Sequence, residues 1–124
     1  MLLLLATLAA TAADCADVDL ADWREALDAT DAAYTEAKLP RARSLVEGTA
    51  GALPCLRVVV PTDLMGRYAR QQAFLRMVDQ DAVEATSWFQ LARAVDPEGA
   101  WPPYVPGRHS ARDLSRSPAP TQGE

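Results

Sequence analysis

The chain has 124 residues and a formal net charge of −5 at pH 7. This length provides one small domain, which is marginally stable unless a further link reinforces it. The acidic balance, with a pI near 4.8, argues against non-specific binding to nucleic acid and against attraction to anionic membranes.

Residues 1–13 form an uninterrupted run of apolar and small residues that is too short to span a bilayer. Alanines near its end suit signal peptidase, so we interpret the run as a cleaved secretory signal and expect a periplasmic or secreted protein. A buried N-terminal helix is the alternative, since the run lacks positive residues at its start. Asp14 directly before Cys15 disfavours a lipoprotein signal, and no later apolar run is long enough to cross a membrane.

Two amphipathic helices are predicted next, because apolar residues recur at steps of three and four. The inward positions of the first helix are Leu20, Trp23, Leu27, Thr30 and Tyr34. Residues 39–40 mark the turn into the second helix, and Pro54 ends it. Its inward positions are Ala42, Leu45, Val46, Thr49, Ala52 and Leu53. Gly48 and Gly51 are expected to permit close packing of this helix.

Residues 56–60 are apolar but have no second strand to pair with, so we expect an extended connector packed over the helices. A third helix follows, with Thr62 as its predicted N-cap and with inward positions Leu64, Tyr68, Gln71, Leu75 and Val78. Asp81, with Glu84 three residues later, opens a fourth helix that residues 96–99 end. Its inward positions are Ala82, Ala85, Phe89 and Ala92.

Extended structure is favoured after the helical domain, residues 14–99, because prolines surround Trp101 and Tyr104. We name residues 100–113 the strap and expect its aromatic side chains to lie across the last two helices. Such a strap either covers the open end of the helices or docks another chain. Residues 114–124 have no apolar pattern and are predicted to be disordered.

Cys15 precedes the first predicted helix and Cys55 follows the second, so both lie at the same end of an antiparallel hairpin. In an exported protein this placement favours a structural disulfide. A bridge closing a loop of about 40 residues stabilises a small domain by about 4 kcal/mol on the chain-entropy model. A redox-active pair needs a C-x-x-C spacing and a zinc site needs four ligands, and the sequence supplies neither.

Four positions of the last predicted helix keep a characteristic spacing, Ala85, Phe89, Ala92 and Pro97. This spacing resembles the second helix of a tetratricopeptide (TPR) repeat, in which small residues let two helices approach and an aromatic side chain fills the gap. The same frame shifted upstream by 43 residues meets Ala42, Val46, Thr49 and Pro54. The chain is also similar to small exported TPR-like bacterial proteins of unassigned function. The resemblance implies an all-α protein of two antiparallel helical hairpins, a TPR-like α-solenoid fragment with an extended strap.

TPR arrays bind peptides in a groove lined by their first helices, often with basic residues that hold carboxylates. In the matching helix Arg67 and Arg70 lie one turn apart, with Gln71 beside them, so the resemblance implies a donor-rich patch for a protein or peptide partner. An ordinary solvated face is the alternative. Trp101 and Tyr104 are the other candidate partner-binding residues.

The sequence has no activated nucleophile, no glycine-rich phosphate loop and no H-E-x-x-H motif. His109 is the only histidine and is expected at the surface. We therefore expect a non-enzymatic scaffold or adaptor that uses no cofactor and no metal. A structural subunit that self-associates through exposed solenoid ends, and so forms a homo-oligomer, is the alternative.

Overall fold

A computed structural model describes residues 15–102 and residue 104. This part of the chain forms four α-helices and one short 3₁₀ helix and contains no strand, which confirms the all-α prediction. The elements are α1 (Leu20–Thr35), α2 (Leu39–Ala52), the 3₁₀ helix (Leu53–Cys55), α3 (Thr62–Val78) and α4 (Ala82–Val95). The predicted signal, most of the strap, His109 and the predicted disordered tail lie outside the described residues.

Consecutive helices pack in pairs, α1 against α2 and α3 against α4, and a turn of three residues joins the helices of each pair. Asp19 caps α1 by accepting the Ala21 backbone N–H at 3.0 Å. Asp81 caps α4, as predicted, by accepting the backbone N–H of Glu84 at 3.2 Å. The prediction that Thr62 caps α3 is wrong, because Thr62 is already helical and the cap position before it is occupied by a proline.

The inward positions predicted from spacing are mostly buried, including Trp23, Leu27, Leu75 and Phe89. Val78 and Ala82 were predicted to face inward and are exposed instead. They flank the turn between α3 and α4, whose residues are themselves exposed, so helical spacing no longer points them at a neighbour.

Helix α3 is central, since it contacts each of the other three helices. Buried polar side chains link these helices through backbone carbonyls. Trp23 donates its indole N–H to the Thr49 carbonyl at 3.1 Å, which joins α1 to α2. Tyr34 donates its hydroxyl to the Gln71 carbonyl at 3.0 Å, and Gln72 donates to the Val46 carbonyl at 3.3 Å. The first pair is thereby attached to α3 at defined positions.

The predicted disulfide is present, with the Cα atoms of Cys15 and Cys55 5.6 Å apart. Beside it Val18 and Leu56 form an isolated parallel bridge, so the segment before α1 runs along the start of the connector. Leu56 packs against the core, whereas Val59 further along the connector is 93% exposed. The connector therefore covers the helices through only part of its apolar sequence. No helix among the described residues is long and apolar enough to cross a membrane.

Candidate functional site

Arg67, on α3, is paired with two carboxylates of α1. Its Nε and Nη2 atoms donate to Asp31 Oδ2 at 2.9 and 2.8 Å, and Nη2 also donates to Asp28 Oδ1. Burial disfavours the charged guanidinium, but the hydrogen bonds that Arg67 donates to Asp28 and Asp31, together with the negative charge of these carboxylates, outweigh that effect and raise the pKa of Arg67. The charge of Arg67 is therefore already balanced within the domain.

Arg70 lies one turn further along α3 and is buried, with 7% of its surface exposed. Its Nη1 donates to Asp96 Oδ2 at 3.2 Å, and its Nη2 donates to the Asp96 carbonyl at 2.8 Å. Two glycines make room for this pair. A Cβ atom on Gly66 would overlap the Asp96 side chain, and one on Gly99 would overlap both Asp96 and the guanidinium.

Gln71 is 1% exposed and points into the interface between α1 and α3. Its Nε2 donates to the Leu27 carbonyl and to Asp31 Oδ1, both at 2.9 Å. Its Oε1 has no hydrogen-bond partner among the described residues. The expectation of an open donor patch formed by Arg67, Arg70 and Gln71 is therefore corrected, because each of these side chains donates to carboxylate or carbonyl oxygens of the same chain.

Asp31 joins three parts of the chain through one carboxylate. Its Oδ2 accepts two bonds from Arg67, while its Oδ1 accepts from Gln71 and from the Tyr104 hydroxyl at 2.8 Å. Each carboxylate oxygen thus has two donors, which matches its two acceptor sites. Asp31 consequently attaches α1 to α3 and to the strap, and it has no free acceptor for a ligand.

The described part of the strap, residues 100–102 and 104, lies against the helices. Tyr104 packs against both Tyr34 and Phe74, with ring centroids 4.9 and 5.0 Å away. Trp101 packs against Phe89 at 5.5 Å. Burial raises the pKa of Tyr104, and the neighbouring Asp31 carboxylate adds to the shift. Both predicted strap aromatics therefore cover the helical core.

A groove of about 450 Å³ opens between α1, α3 and the strap. We name it the strap groove. Its lining residues are Asp31, Asp63, Arg67, Arg70, Asp96, Glu98, Gly99, Ala100, Trp101 and Pro102. Arg67 and Arg70 are neutralised by their aspartates, whereas Asp63 and Glu98 are exposed and form no ion pair within the described part of the chain. The groove therefore presents uncompensated negative charge beside an aromatic wall.

A second, smaller hollow of about 190 Å³ lies between α1 and α2 and is almost entirely apolar. Trp23, Leu45 and Gly48 contribute to its lining. The expectation that Gly48 and Gly51 permit close helix packing is wrong, because no atom beyond the adjoining residues and backbone of the same helix lies within 4 Å of the place where either Cβ would stand. At Gly48 the missing side chain leaves open space instead.

Within residues 15–102 and 104, no group of three or more histidine, cysteine, aspartate or glutamate side chains is arranged to hold a metal ion. The site residues found in the structure but not from the sequence are Asp31, Asp96, Gly66, Gly99, Asp63 and Glu98.

Comparison of the chain with protein-family models, with curated proteins and with solved structures gives no significant match. The TPR resemblance therefore stays a prediction.

Proposed function

We propose that this protein is an exported, non-enzymatic module that binds a segment of a partner protein in the strap groove. The observation that carries the proposal is the groove itself, with its unpaired carboxylates and its aromatic wall. Its volume lies within the range of ligand pockets, about 300 to 1,000 Å³. The disulfide supports a periplasmic or secreted location, because such bonds persist in oxidising compartments.

The partner segment is basic in this proposal. Arg67 and Arg70, which the TPR resemblance implies as carboxylate ligands, are held by aspartates of the same chain, so they are not available to an acidic peptide. Asp63 and Glu98 remain as acceptors for a lysine or arginine side chain. Trp101 adds aromatic surface next to them, and aromatic rings attract cations. The protein itself carries a net charge of −5, so charge complementarity also favours a basic partner segment.

Peptide titration tests the proposal. One fluorescein-labelled peptide has alternating lysine and glycine residues, and a second peptide of equal length has alternating glutamate and glycine residues. The protein is used as recovered after export, with its disulfide intact. The lysine peptide is expected to bind and the glutamate peptide is not. The double variant Asp63→Asn/Glu98→Gln is expected to bind the lysine peptide about two- to thirtyfold more weakly, since exposed ion pairs contribute about 0.2 to 1 kcal/mol each.

The matched control is Glu25→Gln/Glu47→Gln, which changes the net charge equally at two exposed positions outside the groove. This control variant is expected to bind the lysine peptide with the affinity of the unaltered protein when both are titrated at the same salt concentration. An equal loss in both double variants would show that only the net charge attracts the peptide. Equal binding of the lysine and glutamate peptides would reject the groove as the site.

Self-association is a second candidate function, and one surface of α4 favours it. Val83 is 78% exposed and Leu91 is 41% exposed, and these residues lie two turns apart on one face of the helix. In a repeat array the outer face of a terminal helix is where the next unit packs. Light scattering coupled to size exclusion tests this candidate. A dimer that Val83→Lys dissociates would support it, and a monomer at every concentration would reject it.

A further inference from the structure

The strap groove lies between α1, α3 and a third segment, and this third segment has no regular secondary structure. It is formed by Glu98, Gly99 and the first residues of the strap, which follow the end of α4. A segment of this kind keeps a defined position only where side chains outside it hold it. Within the described part of the chain, polar contacts hold both ends of the segment.

The first attachment is at Asp96. Its carbonyl accepts both the Arg70 Nη2 donor at 2.8 Å and the Gly99 backbone N–H at 3.1 Å. The side chain of Asp96 accepts the other terminal nitrogen of Arg70. Because Arg70 is buried on the central helix α3, the turn that contains Glu98 is fixed to a buried side chain of that helix.

The second attachment is at Tyr104. Its hydroxyl donates to Asp31 Oδ1 at 2.8 Å, and its ring packs against those of Tyr34 and Phe74. Tyr104 is not among the residues that line the groove, whereas Trp101 and Pro102, just before it, are. Any effect of the Tyr104 hydroxyl on a ligand is therefore indirect, through the position of these two residues or through its acceptor Asp31, which also lines the groove.

From this geometry we infer that Tyr104 is a positioning residue for the strap groove, and that its bond to Asp31 keeps the Trp101 wall in place for the ligand. The inference about affinity rests on the proposed function. The inference about the wall does not, because its position is measurable in the protein without ligand.

Tyr104→Phe and Tyr34→Phe form a matched pair of test variants. Each removes one tyrosine hydroxyl from the same aromatic cluster and keeps the ring. Tyr104→Phe loses the hydrogen bond to Asp31, and Tyr34→Phe loses the hydrogen bond to the Gln71 carbonyl. Only the first of these bonds holds the strap. A merely structural role of Tyr104 predicts that the two variants behave alike.

Hydrogen–deuterium exchange is measured on the peptide that contains Gly99, Ala100 and Trp101, without ligand. Tyr104→Phe is expected to speed its exchange about fivefold, the effect of one lost hydrogen bond on local opening. Tyr34→Phe is expected to leave this peptide unchanged. Unchanged exchange in Tyr104→Phe, or an equal acceleration in both variants, would overturn the inference.

The lysine peptide is then titrated against both variants. Tyr104→Phe is expected to bind about fivefold more weakly than the unaltered protein, while Tyr34→Phe keeps the original affinity. Equal affinities of Tyr104→Phe and the unaltered protein, despite a faster-exchanging strap, would overturn the link to binding. Failure of the unaltered protein to bind would instead reject the proposed function, and the exchange result would still decide whether Tyr104 positions the wall.

Discussion

Ala37 and Gln80 occupy equivalent places in two turns that lie 43 residues apart, and both have positive φ angles, 58° and 62°. In each turn the residue at this place donates to a carbonyl three positions back, and the next residue donates to a carbonyl five positions back. The pattern is that of a Schellman C-cap, whose left-handed position is usually a glycine. The 43-residue offset between the side-chain patterns of α2 and α4 is therefore present in the backbone of the turns as well.

Replacing Ala37 or Gln80 with glycine is expected to raise the free energy of unfolding by about 1 kcal/mol per site, because L-residues are strained in this conformation. Urea denaturation of the single variants measures the effect. Ala94→Gly is the control, since Ala94 is exposed inside helix α4, where glycine costs about 1 kcal/mol relative to alanine. A loss of stability at Ala37 and Gln80 comparable with that control would contradict the prediction.

The disulfide is expected to supply a large part of the stability of this small domain. Cys15 and Cys55 are 40 residues apart in sequence, and closing a loop of that size stabilises by about 4 kcal/mol on the chain-entropy model. Urea denaturation of the oxidised protein and of the Cys15→Ala/Cys55→Ala variant measures this difference. Equal denaturation midpoints would show that the helical core alone sets the stability.

Alanine substitution is expected to have opposite effects at two helical glycines. At Gly66 a Cβ would overlap the Asp96 side chain, so Gly66→Ala displaces the partner of the buried Arg70 and is expected to cost about 2 kcal/mol. At Gly48 the same change meets open space and is expected to stabilise by about 0.5 to 1 kcal/mol through helix propensity. Thermal denaturation compares the two variants, and a stabilising Gly66→Ala would disprove the close contact.

Much of the fold could be predicted from the sequence because its determinants are local. The steps of three and four placed Trp23, Leu27 and Phe89 in the core, and the position of each cysteine relative to the helices predicted the bridge. These signals depend on neighbouring positions along one helix or on its ends. The pairwise orientation of the helices as TPR-like hairpins is a finer statement that the helix boundaries alone do not establish.

The candidate site could not be predicted because its contacts join residues far apart in the chain. Arg70 is 26 positions from Asp96, and Tyr104 is 73 positions from Asp31. In the sequence, residues 96–99 predict only the end of a helix, and no sequence pattern assigns a role to Gly66. One local clue did exist, since helical spacing placed Gln71 on the inward stripe even though its polarity suggested an exposed donor.

The three tyrosines of the chain predict how stability changes at alkaline pH. Burial raises the pKa of Tyr34, Tyr68 and Tyr104 above the ordinary value. A group whose pKa is higher in the folded state contributes stability that is complete below its unfolded pKa, here about 10, and is lost as the pH rises above that value. The free energy of unfolding is therefore expected to fall above pH 10, by up to about 1.4 kcal/mol per pH unit for each tyrosine.

Tyrosinate absorbance and helical circular dichroism, followed together during an alkaline titration, test this prediction. Tyrosinate is expected to appear only as helical signal is lost, because the folded state keeps the phenols neutral. In Tyr104→Phe the decline in stability above pH 10 is expected to be shallower, since one buried phenol is removed. Tyrosinate formation with a midpoint near pH 10 in protein that remains helical would show that these hydroxyls are accessible to solvent, and it would contradict the burial of the three tyrosines.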